Sequence, residues 1–127
     1  MAKTAQDLVA EAKQHIHEVD LAQARDMIQS GAVVLDVREP AEFAAGHLPE
    51  AINVPRGLLE FQLAGIPALN QAERPIVVYC KTSGRAALAA SVMHTMGISN
   101  VVSVAGGYDA WSGAGLPVDT PPEMDFG

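Results

Sequence analysis

The sequence predicts an α/β protein whose parallel sheet is covered by helices on both faces. Short apolar runs alternate along the chain with segments of helical periodicity, and no two runs are joined by the residues of a tight hairpin. The run at 32–37 is almost continuously apolar, which is typical of a strand buried on both faces. At 127 residues the chain is long enough to bury a hydrophobic core, and we expect one domain.

Two capping-box patterns predict helices in the first thirty residues. Residues 4–7 precede an amphipathic stretch that continues to Ile16, and residues 20–23 precede a second helix that Gly31 ends. A short first strand is expected within 17–20. The further predicted elements are a strand at 32–37, a helix at 40–45, a strand at 51–54, a helix at 57–64, an irregular connection at 65–75, a strand at 76–79, a helix ending at Met96 and a strand at 101–104.

Composition argues against several classes of binding partner. Eight basic residues against fifteen acidic ones give a net charge of −7, which disfavours binding to nucleic acid and to anionic membranes. The single cysteine cannot form an internal disulfide, which fits a reducing compartment. The first residues lack the apolar core of a signal peptide, and no apolar run approaches the ~18 residues that span a bilayer. We therefore expect a cytoplasmic protein.

The chain is organised around its only cysteine. The apolar run at 76–79 ends at Cys80, a polar loop follows, and a helix then begins. Unpaired N–H groups and the dipole of that helix, together with Lys81 and Arg85, favour the thiolate form of a cysteine. Amides in such a loop can also hold a persulfide or an oxyanion. The alternative is a buried cysteine that packs as a small apolar residue.

Several motifs occur together in one order. They are Leu35–Arg38, Glu42–Phe43, Gly46–Pro55, Val77–Cys80, Gly84–Arg85, and Gly106–Gly107 with Trp111. As a set they resemble the rhodanese family, over residues 19–117. The resemblance implies a rhodanese fold, with a five-stranded parallel sheet flanked by helices on both faces. It divides the chain into an N-terminal helical extension at 1–18, a rhodanese domain at 19–117 and a Pro-containing tail at 118–127, which we expect to follow the surface.

The resemblance also implies sulfurtransferase activity through a cysteine persulfide. Carried over by position, Cys80 is the nucleophile, and the residues that cradle its sulfur and bind substrate are Lys81, Thr82, Ser83, Gly84 and Arg85. Arg85 is expected to bind an anionic donor, and an ion pair with Asp36 or Glu42 is the alternative. No metal and no organic cofactor is implied.

Other motif residues are candidates for supporting roles. Asp36 and Arg38 could pair with each other or steady the loop. Phe43 and Trp111 either line the mouth of the pocket or pack in the core. We expect His47 to be a hydrogen-bonded turn residue. Gly106 and Gly107 are expected to permit a tight turn from strand to helix.

Loop length favours sulfur over phosphorus. Cys80 and Arg85 bound six residues, as in sulfur-transferring members of the family, whereas the related phosphatases and arsenate reductases have one residue more. We expect transfer of sulfane sulfur from thiosulfate or a related donor to cyanide or a thiol, with a sulfur-accepting protein as a further candidate partner. The alternatives are a non-enzymatic rhodanese module or persulfide carrier that acts on a protein partner, and a small phosphatase or arsenate reductase.

Overall fold

A single parallel sheet of five strands forms the centre of the molecule, as predicted. The computed structural model describes residues 2–71 and 73–121. The strands are β1 (His17–Val19), β2 (Val33–Asp36), β3 (Ile52–Asn53), β4 (Ile76–Tyr79) and β5 (Val101–Val104). Their order across the sheet is β1-β5-β4-β2-β3, and every neighbouring pair is parallel. Because β4 is the middle strand, the residue that follows it lies at the centre of the carboxyl edge.

The described residues contain seven α-helices. They are α1 (Ala5–Lys13), α2 (Leu21–Gln29), α3 (Pro40–Ala45), α4 (Leu59–Gln62), α5 (Pro67–Asn70), α6 (Gly84–Thr95) and α7 (Gly107–Gly113). Of these, α1 precedes β1 and α7 follows β5. Thr4 and Asp20 complete the two predicted capping boxes, and Pro40 begins α3 at its first position. Within 2–71 and 73–121, none of the helices combines the length and the apolar character needed to cross a membrane.

The core lies on both faces of the sheet, which explains the continuous apolar character of its central strand. Ile76 and Val78 pack in one cluster of buried side chains, while Val77 and Tyr79 pack in the other. All four are buried. Each fully buried aliphatic side chain contributes about 1.5–3 kcal/mol relative to leaving it exposed. Cys80 belongs to the first cluster, so its position is determined by the packing of the core.

The segment between β3 and β4 differs from the prediction. The helix expected at 57–64 is broken into a 3₁₀ turn (Arg56–Leu58), α4, and a second 3₁₀ turn (Leu63–Gly65). Only Leu59 and Leu63 of this segment are buried, so packing supports little more than one regular turn. The connection expected to be irregular contains the four-residue helix α5, which begins with a proline and is too short to give a periodic signal.

Both ends of the described chain are attached to the domain. β1 confirms the expected first strand, and it pairs with β5 from His17 onward, inside the range predicted as the extension. Residues 119–121 are exposed, as expected of a tail that follows the surface, whereas Val118 is partly buried against the core. The backbone of Asp119 forms an isolated antiparallel bridge with His47. The two bridge hydrogen bonds measure 2.9 and 2.7 Å between N and O. Residues 122–127 lie outside the described residues.

Candidate functional site

Cys80 occupies the centre of the carboxyl edge, directly after β4. Its exposure is only 1%. The carbonyl oxygens of Cys80 and Lys81 accept hydrogen bonds from the backbone N–H groups of Tyr108 and Asp109, at 2.8 and 3.0 Å. The first turn of α7 therefore holds the start of the cysteine loop in place.

Two glycines allow α7 to approach so closely. Gly106 and Gly107 have φ angles of 80° and 57°, which favour glycine. A Cβ atom on Gly107 would collide with the carbonyl oxygens of Cys80 and Thr82. The predicted turn from strand to helix is confirmed, and it has the further effect of bringing α7 against the loop.

The loop and the first turn of α6 present a group of unpaired backbone donors. In the described part of the chain, the N–H groups of residues 81–86 have no hydrogen-bond acceptor. The side chain of Ser83 does not cap the helix. Since the N-terminus of a helix of this length carries a partial positive charge, the donors and the dipole together favour an anion beside Cys80.

Arg85 is held by an acidic partner from α3. Its Nη1 and Nη2 donate to the two carboxylate oxygens of Glu42, at 2.7 and 3.1 Å. The bonds from Arg85 lower the pKa of Glu42 to about 2, and they raise the pKa of Arg85 itself. The ion pair named as the alternative for Arg85 is thus present, and its partner is Glu42.

Lys81 is the more accessible of the two loop cations. Its side chain is 59% exposed, and Nζ lies 3.5 Å from a carboxylate oxygen of Asp109. Pairs between such exposed side chains are worth little, so Lys81 remains able to meet an incoming anion.

Asp36 and Arg38 form a buried ion pair beneath the site. Arg38 donates from Nη2 and Nε to Asp36 at 2.7–3.1 Å, and the hydroxyl of Tyr79 donates to the same carboxylate at 2.6 Å. Burial alone would lower the pKa of Arg38, but the bonds and charge of Asp36 outweigh it, and the pKa is raised. Burial, and then the hydrogen bond to Asp36, raise the pKa of Tyr79 far above 10. All three side chains are almost inaccessible, which indicates a structural role.

Arg38 joins this buried pair to the neighbouring segments. Its Nη2 also donates to the carbonyl oxygen of Gly46 at 2.6 Å, and its guanidinium carbon lies 4.3 Å from the centroid of the Tyr108 ring. The Tyr79 hydroxyl accepts from the backbone N–H of Leu48 at 3.1 Å. The chain after β2, residues 46–48 and α7 are therefore fastened to one another around one guanidinium group.

The two aromatic candidates and His47 lie in different surroundings. Phe43 stacks on His47, with ring centroids 3.8 Å apart, and His47 Nδ1 lies 2.9 Å from the Phe43 carbonyl oxygen, which identifies it as the protonated nitrogen. His47 is hydrogen-bonded as expected, but its backbone lies in the bridge with Asp119 and not in a turn. Trp111 is 3% exposed and donates to the carbonyl oxygen of Pro117 at 2.7 Å. Trp111 packs in the buried cluster on the face of the sheet opposite Cys80. Of its two expected roles, it therefore has the one in the core.

A groove of about 250 Å³ lies beside the cysteine loop. Cys80 is 1% exposed and does not line the groove. The lining residues carry both signs of charge; they are Arg38, Glu42, Ala45, Gly46, Lys81, Tyr108 and Asp109.

Sequence reasoning missed two contributors to the site. The motif Val77–Cys80 contains Tyr79 but assigns its hydroxyl no role, although a tyrosine in an otherwise aliphatic buried strand is a signal that its hydroxyl needs a partner. Lys13 of α1 donates to the Ser83 hydroxyl at 2.9 Å, across 70 positions of sequence. No local pattern could have indicated that contact.

The fold and the site together define a class of protein. It is the α/β class in which a cysteine lies at the carboxyl end of a central parallel strand, before a helix whose first turn is unpaired. A family model, the rhodanese-like domain, matches residues 20–114. The chain belongs to the rhodanese-like family, and the resemblance carried by its motifs is confirmed.

Known relatives include sulfurtransferases. The thiosulfate sulfurtransferase GlpE of Haemophilus influenzae is 33% identical over 104 residues, which cover 81% of this chain and 94% of the relative. The polysulfide-sulfur transferase homodimer of Wolinella succinogenes is 31% identical, with a TM-score of 0.77 and coverage of 93% and 88%. A Rhodopseudomonas palustris protein of unknown function, described as a possible tyrosine phosphatase, is 30% identical, with a TM-score of 0.85 and coverage of 94% and 96%. On balance these relatives support a rhodanese-type sulfurtransferase.

Proposed function

We propose that this protein transfers sulfane sulfur through a persulfide on Cys80. The observation that carries the proposal is the position of this lone thiol, at the end of β4 and directly before a run of backbone N–H groups that have no acceptor among residues 2–71 and 73–121. Such donors stabilise an anion on the sulfur at no cost in reorganisation. They serve both the thiolate and the persulfide anion that replaces it.

In the first half-reaction the Cys80 thiolate attacks the outer sulfur of thiosulfate. A bond forms between the two sulfurs, the S–S bond of the donor breaks with its electron pair, and sulfite leaves. The enzyme then carries a persulfide anion, so that charge and atoms balance without a proton transfer. Lys81 attracts the dianionic donor and stabilises sulfite as it departs.

In the second half-reaction an acceptor nucleophile attacks the outer sulfur of the persulfide. With cyanide the products are thiocyanate and the original Cys80 thiolate. A thiolate acceptor takes the sulfur in the same way and becomes a persulfide. Because Cys80 is 1% exposed, the acceptor is a small molecule or a thiol on an extended segment that can enter beside the loop.

Arg85 contributes to this reaction mainly through the electrostatic field of its charge. Both terminal nitrogens are engaged by Glu42, so a donor must either displace that carboxylate or interact with the remaining charge of the pair. The pair also holds the start of α6 against α3. We therefore assign direct attraction of the donor to Lys81, and shaping of the loop to Arg85.

A phosphatase is the second candidate function, because the Rhodopseudomonas neighbour is described as a possible tyrosine phosphatase. The same unpaired amides would accept the oxygens of a phosphate group. Against this candidate, the loop from Cys80 to Arg85 has six residues, which leaves little width for a tetrahedral phosphate.

Parallel assays of both activities test the proposal. The wild type should transfer sulfur from thiosulfate to cyanide, and Cys80→Ser should abolish the transfer while the melting temperature stays close to that of the wild type. No second cysteine can replace the lost thiol. Transfer that survives in Cys80→Ser would refute the persulfide mechanism. A wild type that carries persulfide but turns over very slowly would favour the alternative of a carrier that acts on a protein partner.

A further inference from the structure

The N-terminal helix reaches the candidate active site through one side chain. Lys13, the last residue of α1, donates from Nζ to the Ser83 hydroxyl at 2.9 Å, and Nζ lies 3.6 Å from a carboxylate oxygen of Glu18. Val9 of α1 lies over the same end of the loop, since its Cγ2 would be 3.4 Å from a Cβ atom on Gly84. The extension thus contacts the loop at consecutive positions.

Ser83 occupies the N-cap position of α6 but does not act as a cap. The N-cap residues of α1 and α2 are Thr4 and Asp20, which have ψ angles of 167° and 176° and accept a hydrogen bond from an amide of the first turn. Serine is among the residues most favoured at this position. Ser83 instead has a ψ angle of −18°, and its side chain makes no cap hydrogen bond. The same chain therefore caps two helices in the ordinary way and leaves α6 uncapped.

An ordinary cap at Ser83 would compete with a bound anion. A capping hydroxyl accepts from the second or third amide of the helix, here Arg85 or Ala86. Those amides belong to the unpaired donors beside Cys80. The contact with Lys13 gives the hydroxyl a partner on the α1 side of the loop, and the amides of Arg85 and Ala86 have no acceptor in the described residues.

We propose that Lys13 is a positioning residue that holds the Ser83 hydroxyl away from the first turn of α6 and so keeps its amides available to the sulfur anion. The inference rests on the proposed function, and it gives the N-terminal helix a role in the site. Lys13 acts through Ser83 and touches neither substrate nor sulfur.

Amide hydrogen exchange tests the contact without any reference to activity. Four proteins are compared by NMR: the wild type, Lys13→Met, Ser83→Ala and the double variant. Methionine keeps the length of the side chain but cannot donate. In Lys13→Met the freed hydroxyl should cap α6 and slow exchange of the Arg85 or Ala86 amide by roughly threefold or more. In the Ser83→Ala background the Lys13→Met change should leave the exchange of those amides unaltered.

Kinetics of sulfur transfer test the consequence. Lys13→Met should lower kcat for transfer from thiosulfate to cyanide by roughly threefold to tenfold when Ser83 is present, and by less than about 1.5-fold in the Ser83→Ala background. Lys13→Arg should restore the wild-type rate because the donor is kept. Glu18→Gln is the matched control, since it removes the negative charge beside Lys13 and keeps the contact with Ser83.

The results separate three accounts. Unaltered exchange in Lys13→Met overturns the proposal, and so does an equal loss of rate in both backgrounds, which would indicate a direct effect of the Lys13 charge. A wild type that transfers no sulfur refutes the proposed function, whereas the exchange data still decide whether Lys13 keeps Ser83 from capping. Slower exchange and a loss of rate that both depend on Ser83 support the inference.

Discussion

Arg85 and Glu42 form a bidentate ion pair that ties the start of α6 to α3, directly beside the cysteine loop. Both terminal nitrogens of the arginine are used, at 2.7 and 3.1 Å. A family-based interpretation expects this arginine to bind the sulfur donor, but its partner is already a carboxylate. Arg85 therefore has two competing roles, stabilising the loop through Glu42 and binding an anion. A substitution at Glu42 distinguishes between them.

Glu42→Gln should lower stability and improve use of an anionic donor. The glutamine leaves Arg85 without its counter-charge, so the KM for thiosulfate should fall by roughly twofold to fivefold, while the melting temperature at pH 7 falls by roughly 2–5 °C. Steady-state kinetics and thermal melts measure the two effects. An unchanged KM with a lower melting temperature would assign Arg85 a purely structural role.

The same pair predicts how stability depends on pH. The pKa of Glu42 is about 2 in the folded protein, against an ordinary value of 4.5 in an unfolded chain. A carboxyl group with a lowered pKa stabilises the fold above its unfolded pKa, and this contribution is lost as the pH falls towards the folded pKa. The difference in melting temperature between wild type and Glu42→Gln should be constant above about pH 5 and shrink steadily from pH 4.5 towards pH 2. A difference that does not change over this interval would contradict the assignment.

The buried pair beneath the site should be far more important for stability than a surface pair. Asp36→Asn removes the charge that compensates Arg38, which is 3% exposed, and should cost about 3–5 kcal/mol in free energy of unfolding. Asp109→Asn is the control, because Asp109 is 52% exposed beside Lys81 and should change stability by less than about 0.5 kcal/mol. Urea denaturation compares the two. Similar losses of unfolding free energy in both variants would show that the buried Asp36–Arg38 pair does not stabilise the fold more than an exposed pair does.

Close approach of α7 to the loop gives a backbone prediction. Gly107→Ala introduces a Cβ atom that collides with the carbonyl oxygens of Cys80 and Thr82 at a positive φ, so stability should fall by more than about 2 kcal/mol and sulfur transfer should fall with it. Gly113→Ala, in the same helix, meets nothing within 4 Å and should change stability by less than about 0.5 kcal/mol. Denaturation and transfer assays on both variants provide the comparison. Full activity in Gly107→Ala would mean that the loop tolerates displacement.

Loop length can be tested by insertion. One glycine placed between Ser83 and Gly84 widens the loop, loosens its hold on the persulfide and should lower transfer from thiosulfate by at least about tenfold. The wild type should show no useful hydrolysis of an aryl phosphate. Rates of both proteins are measured on both substrates. A wild type that hydrolyses the phosphate faster than it transfers sulfur would replace the proposed function with the phosphatase.

Sequence patterns predicted the helices and strands that are determined by residues close together in the chain. The capping boxes at Thr4 and Asp20, the helix beginning at Pro40 and the apolar central strand each have a local cause, and the structure contains them as expected. The short helix at 67–70 was missed because four residues give no periodicity.

The site was less predictable because its contacts join distant parts of the chain. Arg85 was expected to face substrate, yet its partner is Glu42, 43 positions earlier. The choice between Asp36 and Glu42 depended on Arg38 having already engaged Asp36. Lys13 reaches Ser83 only because α1 packs on α6, which no property of residues 4–13 alone could indicate.

The mass of the intact protein after incubation with thiosulfate shows directly whether Cys80 carries a persulfide. The wild type should gain one sulfur atom, located on the peptide that contains Cys80, and should lose it when cyanide is added. Cys80→Ser, treated in the same way, should gain no mass. A wild type that gains no sulfur under these conditions, or a modification that maps to another residue, would contradict the persulfide account.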